Sequence, residues 1–294
     1  MEAGQGVLHL HVAGLGTWLD ARQAGISLAA PTAHAKFLLT RPAGSPAGPD
    51  DLYLQVRSEP LTESDACWEL VCRTEIWELW LDAEGRYVFV APRQVPPRCV
   101  RVDHVFKNGE VFGDLASNNG NGHYPLLQGL EIVLMVNRLA GLGDLILHAA
   151  GASIDGEGYC FFGSSGAGKS TLAAQLARNP AVSVLGEDQT ILRFIEGKFW
   201  IFGTPWHENP DLCAAAGAPL KKLFFLNRKN NREIQALSPF DGMSRLLQTA
   251  FVPYYRPAAL PGILDRLALL VEHIPLFTLN YQIGSDVLKL VLEA

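Results

Sequence analysis

The sequence is poor in cysteine, and this scarcity narrows the classes of protein that it can encode. Among 294 residues there are five cysteines, and no two of them stand in a C-x-x-C spacing. An odd number without that spacing argues against a zinc site and against a disulfide framework. We therefore expect reduced, mostly buried thiols, as is usual in the cytoplasm. The five are Cys67, Cys72, Cys99, Cys160 and Cys213.

Long apolar runs and an excess of positive charge are also lacking. The most apolar stretch, 126–154, is interrupted by Glu131, Asn137, Arg138 and Asp144, so it does not supply the ~20 continuous apolar residues of a membrane-spanning helix. The first residues contain no basic segment followed by an apolar one, so we expect no signal peptide. A net charge of -6 argues against binding to nucleic-acid phosphates. These features predict a cytoplasmic protein with no membrane or nucleic-acid partner.

The remaining composition is that of an ordinary globular protein, with 48% hydrophobic and 18% charged residues. The length suits one large domain or two moderate ones. Residues 41–51 are rich in proline and glycine and cannot sustain a helix or strand. A second break, rich in glycine and asparagine, lies at 113–125 and is either a domain boundary or an exposed loop. Strand-like patterns lie between these two breaks, at 52–57, 68–72, 75–81 and 87–90. We therefore predict a β-rich N-terminal domain over 1–124.

From residue 125 onward, helical and strand patterns alternate, which predicts an α/β domain over 125–294. A helix comes first, followed by a strand, a tight turn, a returning strand, a glycine-rich loop and a second helix. The predicted elements are helix 126–140, strands 145–154 and 159–162, helix 169–178, strands 182–185, 191–194 and 199–202, and helical patterns at 243–250, 263–271 and 286–292.

The glycine-rich loop carries the strongest functional signal. Residues 163–170 match G-x-x-x-x-G-K-[ST], the P-loop or Walker A pattern. Its glycines let backbone amides converge on an anion, and the helix start adds the positive end of its dipole. Lys169 suits the β- and γ-phosphates of ATP, and Ser170 suits Mg²⁺. The expected nucleotide-binding residues are Gly163, Ser164, Ser165, Gly166, Ala167, Gly168, Lys169, Ser170 and Thr171. The alternative for Ser164, Ser165 and Thr171 is that they only fill the loop, and Thr171 is better suited to the N-terminal turn of the helix than to a ligand role.

Two acidic residues follow the apolar run 182–185, at the place where a neighbouring strand ends. Asp188 is suited to hold Mg²⁺ directly or through water. Glu187 is suited to accept the proton of an attacking hydroxyl. The alternative is that one of the two is a solvated turn residue, and the sequence leaves the division of roles open.

His148 is a third candidate because it lies in the first strand of the predicted hairpin. If the turn is centred on Gly156 and Glu157, the pairing sets His148 opposite Ser165, inside the phosphate loop. A histidine there can hydrogen-bond a phosphate or tune the acidic pair. The competing interpretation is a buried structural histidine.

Two further segments are ambiguous. Gly203-Thr204-Pro205-Trp206, followed by His207, forms either a rigid loop that lines a site or a structural corner. A basic cluster within 221–232 could neutralise a transferring phosphoryl group, although a solvated face is the more common role of such a cluster. Its members are Lys221, Lys222, Arg228, Lys229 and Arg232.

Together, His148, the loop 163–170 and the pair Glu187-Asp188 resemble the HPr kinase/phosphorylase family. The characteristic order in that family is a histidine, a β-hairpin, a G-x-S-G-x-G-K-S loop, a helix and a strand that ends in two acidic residues. The resemblance covers 145–206 well and the rest of the chain loosely.

A narrower likeness concerns the HPr-kinase-like proteins of peptide-modification clusters, such as lasso-peptide precursor kinases and the SynChlorMet cassette. Gly203-Thr204-Pro205-Trp206 and the segment around Trp77 and Trp80 look like that group. Some of its members phosphorylate a serine of a ribosomally made precursor peptide. The resemblance therefore implies an ATP-dependent kinase that acts on a hydroxyl, with a peptide, a protein or a small molecule as acceptor.

The family also implies a fold and a set of roles. The fold is an α/β P-loop kinase domain with a mixed sheet, related to phosphoenolpyruvate carboxykinase, behind a smaller β-rich domain. The implied catalytic residues are Glu187, Asp188, His148 and Lys169, with ATP and Mg²⁺ as cofactors and Ser170 and Asp188 as metal ligands. Homo-oligomers are common in the family, so a homo-oligomer is an expectation that the sequence itself leaves open.

Two departures from the family pattern limit the resemblance. Glu187 stands where the family usually has aspartate, which puts the general-base role in doubt. Thr171 stands where true HPr kinases have an acidic residue, so HPr itself is a poor guess as substrate. An ATPase or nucleotide-binding module coupled to a partner protein remains the alternative, and a GTPase is disfavoured because Asn227-Arg228-Lys229-Asn230 lacks the acid of N-K-x-D.

Overall fold

A computed structural model describes residues 6–39, 48–61, 68–93, 97–113, 123–126, 128–207, 209–227, 233–281 and 287–294. The chain divides into two compact units, Met1–Arg138 and Leu139–Ala294. The boundary predicted after residue 124 lies within the first unit. Several expectations fall outside the described residues, namely those on Cys67, Arg228, Lys229, Arg232, residue 286 and most of the segments 41–51 and 113–125.

The first unit contains an eight-stranded mixed sheet among its described residues. Its strands β1 to β8 are Val7–Val12, Leu15–Asp20, Leu52–Arg57, Glu69–Arg73, Glu78–Leu81, Tyr87–Ala91, Arg98–Val102 and Asn108–Phe112, and a short helix α1 is Thr32–Ala35. The strand order is β1-β2-β3-β8-β7-β6-β5-β4. In β3, Leu52, Leu54 and Val56 are buried and alternate with more exposed residues, which is the period-two pattern that predicts this strand.

The second unit contains a nine-stranded sheet among its described residues. Helix α2, Gln128–Gly141, leads into this unit. Its strands β9 to β17 are Leu145–Leu147, Ala149–Ile154, Glu157–Phe162, Val182–Gly186, Thr190–Ile195, Lys198–Phe202, Gly217–Asn227, Glu233–Ala236 and Leu276–Asn280. The order is β12-β10-β11-β15-β14-β13-β9, with β17 beside β15 and β16 beside β17. Strands β11, β15 and β17 run parallel, and the other pairs are antiparallel, so the sheet is mixed.

Helices cover both faces of this second sheet. They are α3 Lys169–Leu176, α4 Pro239–Thr249, α5 Leu260–His273 and α6 Val287–Glu293. Leu246 of α4 and Leu267 of α5 pack in one apolar cluster, whereas Leu172 of α3 and Val291 of α6 pack in a second. The chain is therefore an α/β protein with mixed sheets, as the sequence predicts.

Strand β11 shows that the two clusters lie on opposite faces. Cys160 and Phe162 belong to the cluster with α4 and α5, and Tyr159 and Phe161 belong to the cluster with α3 and α6. Successive side chains of a strand point to opposite faces. The four described cysteines carry free thiols. Within the described ranges, no helix is long and apolar enough to cross a membrane.

The segment 145–154 forms two strands instead of the single predicted one. β9 pairs with β13, whereas β10 pairs with β11 and β12. The chain changes partners at His148, whose amide donates a 2.8 Å hydrogen bond to the carbonyl oxygen of Thr249. His148 is therefore a break between strands and not a residue of a continuous ladder.

The predicted register of the β10–β11 hairpin is wrong. Asp155 and Gly156 form the turn, with φ values of 52° and 80°, and Ile154 lies opposite Glu157. A two-residue turn with both residues at positive φ is the type I′ turn that Asp-Gly favours. The predicted centre was one residue too late, so the pairing of His148 with Ser165 does not occur.

Candidate functional site

The loop 163–168 connects β11 to α3 at one edge of the sheet. Because β11, β15 and β17 are parallel, their carboxyl ends lie at the same edge, where α/β sheets bind ligands. Gly166 and Gly168 have φ values of 78° and 98°, in a region that residues with a side chain rarely adopt. The course of the loop thus favours glycine at both positions.

The backbone of this loop presents amides that the chain does not use. Within the described part of the chain, the amides of Ser165, Gly166 and Gly168 donate no hydrogen bond, whereas the amide of Ala167 donates to the carbonyl oxygen of Ser164 at 3.1 Å. The first turn of α3 adds amides without intrahelical acceptors. Ser164, Ser165 and Gly166 are exposed. The loop therefore fits the phosphates of a nucleotide.

Lys169 folds back over the start of the loop. It is 5% exposed, and its Nζ donates to the carbonyl oxygens of Gly163 at 3.0 Å and Ser164 at 3.2 Å. Burial lowers the pKa of Lys169, while the negative charge of Asp188 raises it. The ammonium group is thus held beside the loop by neutral acceptors, which phosphate oxygens can replace with a stronger charge-assisted bond.

The side chains of Ser170, Thr171 and Asp188 carry oxygen atoms, which are the ligands that Mg²⁺ prefers. Ser170 and Thr171 are exposed in the first turn of α3, and the side chain of Asp188 is 41% exposed. Mg²⁺ is usually held by one or two carboxylates together with substrate phosphates and waters. Ser170 and Asp188 therefore fit as its protein ligands in a nucleotide complex.

The turn after β12 carries the two acidic residues, and we call Gly186–Gln189 the acidic turn. Glu187 is 9% exposed, and its Oε1 accepts a 3.4 Å hydrogen bond from the amide of Asn209. Asp188 is more exposed, and its Oδ1 lies 3.3 Å from Nδ1 of His148. The two carboxylates thus differ in environment, one being sheltered and the other open to solvent.

His148 reaches the acidic turn because β10 runs antiparallel to β12. The start of β10 therefore lies beside the end of β12, where Gly151 is opposite Gly186. Burial lowers the pKa of His148, the charge of Lys169 lowers it further, and Asp188 opposes both. His148, Lys169 and Asp188 therefore share one electrostatic neighbourhood, so the structure brings three of the predicted catalytic residues together.

Tyr281 is a site residue that no sequence pattern marks. It is 1% exposed, follows β17, and donates a 2.7 Å hydrogen bond from its hydroxyl to the carbonyl oxygen of Gly168. The two residues are 113 positions apart, so a sequence motif gives no signal for the contact. The hydroxyl anchors the point at which the phosphate loop becomes α3.

The segment Gly203-Thr204-Pro205-Trp206 is buried throughout. The hydroxyl of Thr204 lies 2.8 Å from the carbonyl oxygen of Gln189 and 3.1 Å from Nε2 of His207. Burial lowers the pKa of His207 to about 4, although Asp188 opposes the shift. The segment is thus a structural corner that also contacts the acidic turn.

The described members of the basic cluster lie away from the phosphate loop. Lys221 forms an ion pair with Glu157, at the turn end of β11, and Lys222 lies opposite Tyr159. The phosphate loop leaves from the other end of β11. For these two lysines the structure favours the solvated-face alternative.

Comparisons with known proteins give little beyond this geometry. No family model matches the chain, and no curated protein sequence matches it. Among solved structures, the chain is similar to the Hpr(Ser) kinase/phosphatase from Coxiella burnetii, with 13% identity, a TM-score of 0.29, and coverage of 50% of this chain and 85% of that one. A likeness of this size does not by itself assign a fold or an activity.

Proposed function

We propose that this chain is an ATP- and Mg²⁺-dependent kinase of the HPr-kinase-like P-loop type, which phosphorylates a serine hydroxyl of a peptide or protein. The observation that carries the proposal is the convergence of unused loop amides, Lys169 and the acidic turn at one edge of the sheet. The chain order of His148, hairpin, phosphate loop, helix and acidic turn supports the family type.

The proposed roles follow the environment of each group. The loop amides and Lys169 hold the β- and γ-phosphates, and Ser170 and Asp188 hold the metal ion. When bound, Mg²⁺–ATP supplies the phosphoryl group and neutralises charge on the phosphates. Oε1 of Glu187 is engaged by the amide of Asn209, which leaves Oε2 to receive the proton of the acceptor hydroxyl.

The transfer step balances with these groups. A bond forms between the acceptor oxygen and the γ-phosphorus, and the bond from that phosphorus to the β–γ bridging oxygen breaks. The electron pair leaves with ADP, and the hydroxyl proton passes to Glu187. His148, whose Nδ1 faces Asp188, orients the carboxylate that holds the metal ion. Catalysis in this proposal consists of positioning and charge stabilisation.

The test is label transfer from γ-labelled ATP with Mg²⁺ to serine-containing peptides and to a panel of small hydroxyl compounds. Lys169→Ala removes the charge beside the phosphates and should reduce transfer about 100-fold or more. Lys221→Ala is the matched control, because Lys221 is an exposed lysine of the same unit that pairs with Glu157 away from the loop.

Each outcome has a separate meaning. Label that appears on an acceptor with the wild type and Lys221→Ala but not with Lys169→Ala supports the kinase. The labelled acceptor then shows whether the substrate is a peptide, a protein or a small molecule. Free phosphate without a labelled acceptor favours the coupled ATPase. Equal transfer by the wild type and Lys169→Ala overturns the proposed function.

A further inference from the structure

Three separate hydrogen bonds attach the described residues of 203–207 and 209–214 to the end of β12 and to the acidic turn. The hydroxyl of Thr204 contacts the carbonyl oxygen of Gln189 at 2.8 Å. The amide of Asn209 donates to Oε1 of Glu187, and the amide of Ala214 donates to the carbonyl oxygen of Leu185 at 3.2 Å. These attachments lie before, within and after the pair of carboxylates.

The proton positions around Thr204 follow from its neighbours. A carbonyl oxygen only accepts, so the 2.8 Å contact with Gln189 requires the single hydroxyl proton of Thr204. The 3.1 Å contact with His207 must then be a bond that Nε2–H donates to Oγ1. The neutral imidazole that burial favours has one N–H, and this bond places it on Nε2.

The ring of His207 also lies against the backbone of Gly186. A Cβ atom at Gly186 would stand 2.6 Å from Nε2 of His207 and 2.9 Å from the carbonyl oxygen of Gln189. His207 therefore packs on the residue before Glu187, while Thr204 bonds to the residue after Asp188. The Thr204–His207 pair contacts both ends of the acidic turn.

We propose that Thr204 and His207 are positioning residues that hold Glu187 and Asp188 in place beside the phosphate loop. The hydrogen-bond chain runs from His207 Nε2–H to Thr204 Oγ1 and from Thr204 Oγ1–H to the carbonyl oxygen of Gln189. The expected effect of this hydrogen-bond chain on Mg²⁺–nucleotide binding rests on the proposed function. Its expected effect on hydrogen exchange in the acidic turn does not. Neither residue touches the transferred group.

The test compares Thr204→Val, which keeps the shape and removes the hydroxyl, with Thr204→Ser, which keeps the hydroxyl. Thr278→Val is the matched control, because Thr278 is also a buried threonine and lies in β17, outside the segment whose exchange is measured. Hydrogen–deuterium exchange over 185–190 reports on the turn. The Mg²⁺ concentration that gives half-maximal ATP binding reports on the carboxylates.

Thr204→Val should raise exchange over 185–190 and the required Mg²⁺ concentration each by about five- to twentyfold, as expected for one lost buried hydrogen bond. Thr204→Ser and Thr278→Val should stay near the wild type. Unchanged exchange in Thr204→Val overturns the proposal. If Thr204→Val exchanges faster but the wild-type protein binds no ATP, the positioning role is supported and the proposed function is overturned.

A second measurement needs no variant and so does not depend on whether Thr204→Val folds. Long-range ¹H–¹⁵N NMR of histidine-labelled wild-type protein distinguishes the two imidazole tautomers. The proposal requires the proton of His207 on Nε2 at neutral pH. A proton on Nδ1 overturns the hydrogen-bond chain.

Discussion

The hydroxyl of Tyr281 donates a 2.7 Å hydrogen bond to the carbonyl oxygen of Gly168, the residue that caps α3 at its N-terminus. The same carbonyl accepts the amide of Leu172 at 2.9 Å. A buried tyrosine at the end of β17 therefore fixes the orientation of the peptide group between Gly168 and Lys169. That orientation sets the direction of the Lys169 amide, which belongs to the same peptide group.

Tyr281→Phe should weaken nucleotide binding while the protein stays folded. The change removes the anchor of the phosphate loop and leaves the ring in place, so a loss of about 1 kcal/mol, roughly fivefold in Kd, is expected. Titration with a fluorescent ATP analogue measures the effect. Tyr159→Phe is the control, since Tyr159 is an equally buried tyrosine whose hydroxyl environment includes Lys221 and Glu157. Equal losses in both variants would assign the effect to general destabilisation.

The two glycines of the loop should respond differently to alanine. At Gly166 a Cβ would meet no atom within 4 Å, so Gly166→Ala carries only the strain of a φ of 78°, about 1–2 kcal/mol. At Gly168 a Cβ would stand 2.2 Å from the hydroxyl of Tyr281, in addition to the strain of a φ of 98°. Gly168→Ala should therefore displace Tyr281 and cost more stability and more nucleotide affinity. Urea unfolding and ATP titration of both variants measure the losses of stability and of nucleotide affinity. A larger loss in Gly166→Ala than in Gly168→Ala would contradict this prediction.

Substitutions of the two acidic residues should have different effects on Mg²⁺–ATP binding and on phosphoryl transfer. Glu187→Gln keeps the shape of the side chain and removes its basicity, so transfer should fall about 100-fold or more while Mg²⁺–ATP binding changes little. Asp188→Asn removes a charge suited to the metal ion, so it should raise the Mg²⁺ requirement as well as slow transfer. Kinetics at several Mg²⁺ concentrations distinguish the two. Equal losses of binding and transfer in Glu187→Gln would reassign Glu187 to the metal or to the fold.

The local parts of the site are predictable from the sequence, because each depends on neighbouring residues. The loop 163–170 is recognised from its glycines and Lys169, and the apolar run before Glu187 indicates the end of a strand. The α/β class follows from alternating helix and strand patterns. Whether these residues bind ATP and Mg²⁺ stays a prediction.

The tertiary contacts of the site are not predictable in the same way. The bond from Tyr281 to Gly168 joins positions that are 113 residues apart, and the bond from Thr204 to Gln189 depends on how a second hairpin returns to β12. The change of strand partner at His148 depends on β13 and β12, which come later in the chain. The error in the hairpin register is of a different kind. The register was predictable from the sequence, because Asp155-Gly156 favours a type I′ turn.

His207 gives the stability of the protein a pH dependence with a definite sign. Burial lowers the pKa of His207 from 6.5 to about 4, so between these values the unfolded chain binds the proton more readily than the folded one. The free energy of unfolding therefore rises with pH across this window. The contribution is complete above about pH 6.5 and is lost as the pH falls toward about 4. From pH 7.5 to pH 5.0 the loss due to His207 is about 2 kcal/mol.

Urea unfolding of the wild type and His207→Gln at pH 7.5 and pH 5.0 measures this loss. Glutamine places an amide nitrogen where Nε2 lies, so it keeps a donor for Thr204 and takes up no proton. Burial also lowers the pKa of His148, but that residue is present in both proteins and its contribution cancels in the comparison. The wild type should lose about 2 kcal/mol more than the variant on acidification. Equal losses would show that the imidazole of His207 is not held in its neutral form by the fold.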